Sequence, residues 1–85
     1  MSKIEKLLLK LLAGNSDSNF SIDELKTILL QLGFYERKVA GSHILYKRDG
    51  IGELINIQSD TGGKAKAYQI KQIRNIIIKY KLVKL

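Results

Sequence analysis

A single imidazole serves the whole chain. His43 stands in the stretch AGSHILYK (40–47), directly behind Gly41 and Ser42 and a short way ahead of Lys47. Further on, Lys64 and Lys66 follow paired glycines in DTGGKAK (60–66). An imidazole exchanges a proton near neutral pH, and an ammonium stabilises charge developing on phosphoryl oxygens. Gly41, without a Cβ, lets a backbone or ligand come close. Together these residues could meet a phosphate. A lone strand histidine is more often structural or merely exposed, so the elements that hold it decide what it can do.

The residue types also exclude much. Without cysteine there is no disulfide framework, thiolate zinc site or thiol nucleophile. One histidine, and carboxylates without ligand spacing, offer no evident metal site, and no cofactor is implied. Nothing beside Ser42 would activate its hydroxyl, which leaves it a part in shaping the strand end.

The formal charge of +7 is unevenly spread. From Asp60 onward seven basic residues face one acid, a net +6, whereas residues 1–59 carry a net +1. Such a tail suits a polyanion such as nucleic acid, or an acidic protein partner. A solvated helix face that keeps a small protein soluble explains it equally well.

The elements around these residues follow from periodicity. Ile4, Leu7, Leu8, Leu11 and Leu12 make one stripe of a helix over 3–13, stopped by Gly14. A polar linker, GNSDSN (14–19), leads to SIDE (21–24), a capping box that opens a second helix with Ile22, Leu25, Ile28, Leu29 and Leu32 inward and Gly33 at its close. Alternation then predicts strands over 34–40, 42–48 and 53–59, the last two joined by DGIG (49–52). Ile44, Tyr46, Ile55 and Ile57 would take the helix-covered face, sending His43, Leu45 and Lys47 to the open one. A final helix over 67–80 would bury Ile70, Ile73, Ile76, Ile77 and Tyr80.

The order α-α-β-β-β-α predicts an α+β domain, a three-stranded antiparallel sheet with helices on one face. With 85 residues and 45 % apolar composition the chain suffices for one modest core. The longest uninterrupted apolar run near the N-terminus, Leu7–Leu9, is too short for a signal peptide or a spanning helix. The expectation is a cytoplasmic protein with no membrane association.

From about Ser21 to Leu82 the chain resembles the HicA family of bacterial type II toxin–antitoxin toxins, small ribonucleases with a double-stranded-RNA-binding-like fold. The capped helix SIDELKTILLQLGF, the strand motif GSHILY and the segment GGKAKAYQIKQIRNIIIKYKL carry the likeness. Gly41, Ser42 and His43 match the family's Gly-Ser-His triplet, with Tyr46 at its aromatic position. The second histidine of the family's doublet is replaced by Ile44, and the proline that usually opens the last helix is missing near Tyr68. Residues 1–20, a helix and its linker, lie outside the family core, and 21–85 form the toxin-like part of one compact domain.

The resemblance implies an endoribonuclease, an mRNA interferase acting without a metal, with His43 as the catalytic acid or base. Gly41, Ser42, Lys47, Lys64 and Lys66 would contact RNA, and a HicB-type antitoxin would be the protein partner. The chemistry would be attack of a ribose 2′-hydroxyl on the adjacent phosphorus, for which an imidazole near neutral pH is a suitable base. Protonation of the leaving oxygen could fall to a lysine, to Tyr46, to water or to His43 itself. Because Tyr46 shares a face with Ile44, core packing is favoured for it over stacking on a base. A non-catalytic RNA-binding module of the same fold is the alternative, and a third reading makes the leucine-rich first helix a docking face.

Overall fold

The computed structural model describes residues 2–40, 43–58 and 62–83 of the chain. Helix α1 (Lys3–Ala13) begins where the Ser2 hydroxyl accepts from the Glu5 amide at 3.2 Å. Helix α2 (Ile22–Gln31) begins with the reciprocal pair that SIDE predicts. Ser21 Oγ accepts from the Glu24 amide at 3.1 Å, and Glu24 Oε1 accepts from the Ser21 amide at 2.9 Å. Both serines satisfy amides that the first helical turn leaves without partners.

Strands β1 (Tyr35–Ala40), β2 (His43–Lys47) and β3 (Ile55–Gln58) form an antiparallel sheet in the order β1-β2-β3. Tyr35 stands opposite Lys47, Arg37 opposite Leu45, and Leu45 in turn opposite Asn56. His43 pairs with Gln58 on one side and with Ala40 on the other, where the register shifts between Lys38 and Ala40. Among the described residues β2 ends at Lys47 and β3 begins only at Ile55, where alternation alone suggests 48 and 53. Glycine turns and the buried Ile51 take up the rest of 48–54.

One face of the sheet is core. Tyr46, Ile55 and Ile57 are buried there, with Ile44 packed at the margin. Helix α3 (Ala67–Tyr80) lays Ile70, Ile73, Ile76 and Ile77 into the same cluster, and α2 adds Ile22, Leu25, Ile28 and Leu29. Each such side chain contributes about 1.5–3 kcal/mol on burial. Gln69 is also buried. Its Nε2 donates to the Asn56 main-chain oxygen at 2.8 Å, and its Oε1 has no partner among the described residues.

Helix α1 belongs to this core and is not a free docking face. Leu7 and Leu11 are buried in the shared cluster, with Ile4, Leu8 and Leu12 partly so. Arg74 of α3 locks it in place. Its guanidinium donates to both carboxylate oxygens of Asp17, at 2.7 and 3.0 Å, and to the Leu11 carbonyl at 3.2 Å. Gly14 ends α1 in a left-handed conformation (φ +75°), and a Cβ there would stand 3.6 Å from the Arg74 guanidinium carbon. The left-handed turn is what calls for glycine here, since a Cβ would only reach ordinary contact with the cation.

Candidate nucleic-acid interface and active site

His43 is the first residue of β2, and strand alternation aims it away from the helices. Burial agrees with that placement. Tyr46 is fully buried, whereas His43, Leu45 and Lys47 are only half-buried, and across the register Tyr35, Arg37, Asn56 and Gln58 are exposed. Among the described residues the open face thus carries two cations, two amides, a tyrosine, a leucine and the imidazole. Glu36, the one carboxylate in the three strands, lies on the other face at the sheet's rim, paired with Tyr46.

His43 has one side-chain partner among the described residues. Its Nδ1 faces Asn56 Oδ1 at 3.4 Å, a long hydrogen bond on the diagonal between β2 and β3. With that oxygen as acceptor, Nδ1 carries the proton and Nε2 keeps its lone pair. Asn56 is itself anchored through its main-chain oxygen, which accepts from the buried Gln69. A chain of contacts therefore runs from the first turn of α3, through β3, to the imidazole. Sequence pattern placed Asn56 opposite the isoleucines of its strand but could not bring it to His43, because that contact depends on the β2–β3 register.

Tyr46 takes no part beside His43. Its phenol is buried on the helix side and donates to Glu36 Oε1 at 2.5 Å. Burial first, and then the bond to the Glu36 carboxylate, push its pKa well above the usual tyrosine value. A phenol so placed neither reaches an open-face phosphate nor releases a proton near neutral pH. Of the groups named above for the leaving oxygen, Tyr46 drops out.

The lysines divide. Lys47 shares the open face with His43, four residues along the strand and so about 14 Å away. It would meet a different phosphate from the one at the imidazole. Lys64 and Lys66 are exposed on either side of buried Ala65. Their segment is tied to the start of α2, with the Ile22 amide donating to the Gly63 carbonyl at 2.7 Å and the Ala65 amide to the Phe20 carbonyl at 3.0 Å. Lys64 follows Gln58, the partner of His43, by six residues, which bounds its backbone to within about 20 Å of that strand end. Gly41 and Ser42 lie outside the described residues.

The basic tail is partly spent on structure. Arg74 is held by Asp17, with only 14 % of its side chain exposed, and Lys79 pairs with Glu53 at 3.3 Å. Glu53 also accepts from the Tyr80 hydroxyl at 2.5 Å, and that bond, more than the lysine, lowers its pKa. Among the described residues no three His, Asp or Glu side chains come together as a metal would require, and no helix is long and apolar enough to cross a membrane.

No protein-family model matches this chain, and no curated protein or solved structure is significantly similar to it.

Proposed function

We propose that the protein is a HicA-type toxin, a metal-independent endoribonuclease of double-stranded-RNA-binding-like fold that cleaves mRNA at His43. One observation carries this reading: the only imidazole sits on a sheet face that holds no carboxylate among the described residues, with its Nδ1 facing Asn56 Oδ1 at 3.4 Å. Nε2 takes the proton of a ribose 2′-hydroxyl as that oxygen attacks the adjacent phosphorus. The O2′–P bond forms, the P–O5′ bond breaks, and the products end in a cyclic phosphate and a 5′-hydroxyl. The 5′-oxygen takes its proton from water or from a lysine ammonium. Proton transfer by a positioned group contributes on the order of 10²–10⁴ in rate.

By the same likeness the natural inhibitor is a HicB-type antitoxin, acidic enough to cover the exposed cations, and the setting is the cytoplasm. The test is His43→Ala. It should lower RNA cleavage by at least about 100-fold and abolish growth arrest, with an unchanged circular-dichroism spectrum and unchanged antitoxin binding. Cleavage by the variant at near wild-type rate would remove His43 from catalysis.

A second reading, a non-catalytic RNA-binding module, draws on Ile44 standing where the family's second histidine is usual, with its side chain packed against the core. It predicts salt-dependent binding of RNA that stays whole in the presence of wild-type protein.

A further inference from the structure

The open face of the sheet has a composition that phosphate chemistry alone does not explain. Tyr35, 41 % exposed, stands opposite Lys47, while Arg37, Leu45 and Asn56 form the next row and His43 and Gln58 the last. Leu54, in phase with Asn56 and just ahead of β3, is half exposed as well. A large aromatic and an aliphatic side chain are thus left exposed to water on a face that also carries two cations.

We propose that this face is a platform for single-stranded RNA, on which a base stacks on Tyr35 while Arg37 and Lys47 take the phosphates leading to His43. This inference rests on the RNA-directed reading above and names the form of RNA and the residues that hold it. The distance supports it. From the Lys47 row to the His43 row is about 14 Å, which suits two or three splayed nucleotides on a sheet. An A-form duplex keeps its bases stacked inside and offers none to a flat sheet. Stacking is sequence-tolerant, and Gln58 supplies an exposed amide that can read a base edge near the cleaved bond.

The main competitor for RNA is a groove of about 380 Å³ along the outer side of α3, lined by Tyr68, Lys71, Asn75 and Lys79. It also contains Glu53, which already holds Lys79. A carboxylate in the groove and a cation already engaged there both disfavour a phosphate backbone. Among the described residues the sheet face has neither feature.

The experiment uses the full chain carrying His43→Ala, so that RNA stays intact. It is titrated with a mixed-sequence oligoribonucleotide bearing one fluorescent adenine analogue, single-stranded or annealed to its complement. Single strand should bind at least about 10-fold tighter than duplex. Adding Tyr35→Ala should weaken single-strand binding by about 5- to 150-fold and abolish the stacking change in fluorescence. Arg37→Gln and Lys47→Gln should each lower the salt slope by about 0.7. Amide chemical-shift changes should fall on β1–β3.

Equal or tighter binding of duplex would overturn the proposal. So would an unchanged affinity in folded Tyr35→Ala, or shift changes confined to α3. The two readings fail separately. Wild-type protein that binds single strand on this face without cutting it keeps the platform and loses the nuclease. A Tyr35→Ala single variant that cleaves with unchanged KM keeps the nuclease and loses the platform.

Discussion

Nδ1 of His43 and Oδ1 of Asn56 face each other at 3.4 Å across neighbouring strands, and where that oxygen accepts from Nδ1 the lone pair is on Nε2. Asn56 touches the imidazole and not the reacting atoms, so it is a positioning residue. Nitrogen-15 spectra of the wild-type imidazole should show the tautomer with the proton on Nδ1. Asn56→Ala should mix the tautomers and lower kcat by about 10- to 100-fold with little change in KM. Asn56→Asp, which keeps an oxygen in place, should restore the tautomer. A wild-type imidazole with its proton on Nε2 would remove Asn56 from this role, whatever the activity.

Tyr46 provides the opposite case, a polar group that the fold uses and the chemistry does not. Tyr46→Phe should leave the cleavage rate unchanged and lower stability by about 1 kcal/mol, the usual net worth of one hydrogen bond. Its pH dependence has a definite sign. The folded-state pKa is raised, so the stabilisation is complete below about pH 10 and is lost as the pH climbs past the unfolded tyrosine value. Denaturation followed above pH 10 should therefore fall off more steeply for wild type than for Tyr46→Phe.

Asp17→Asn should lower the Tm at neutral pH by loosening α1 from α3. The bond from Arg74 holds the Asp17 carboxyl below the ordinary carboxylate range. Its stabilisation is present above the unfolded value of about 4 and disappears as the pH falls through the lowered folded value. The two melting curves should converge in acid, and a constant difference down to low pH would argue against an ionic origin.

Gln69 separates two effects of one buried amide. Gln69→Met loses the bond to the Asn56 carbonyl but also removes an oxygen that has no partner, so stability should change by no more than about 1 kcal/mol. Gln69→Glu brings a carboxyl to the same buried spot and should cost about 2 kcal/mol or more at neutral pH. Urea denaturation of the two variants measures both.

The helices and the exposure of His43 were legible because each depends on local periodicity. Ser21–Glu24 capping, the isoleucine stripe of α3 and the alternation of β2 are all short-range patterns. Asn56, Tyr35 and Arg37 were not legible as neighbours of the imidazole, since only the register of three strands brings them onto its face. Arg74 read as one more cation of a basic tail. A signal lay in its position three residues before Ile77 and four after Ile70, at the border of the apolar stripe. Gln69 carried a similar signal, four residues before Ile73, but its polarity suggested surface. The glycine turn hid Ile51, whose burial no alternation predicts. Lys64 and Lys66 are grouped with His43 by their glycine loop and by the family likeness, and the fold ties that loop to the start of α2.

The Arg74 clasp also bears on the moment at which the molecule comes into being. Its guanidinium reaches Leu11 and Asp17 across 63 and 57 residues of sequence, and the last helix supplies four isoleucines to the one core. A chain growing from its N-terminus can nucleate α1, α2 and a hairpin, but it cannot close that core before α3 is made. Residues 1–66 alone leave the inner side of the sheet and Leu11 without their cover. A prefix that stops short of α3 therefore lacks both the guanidinium clasp on α1 and four of the buried isoleucines.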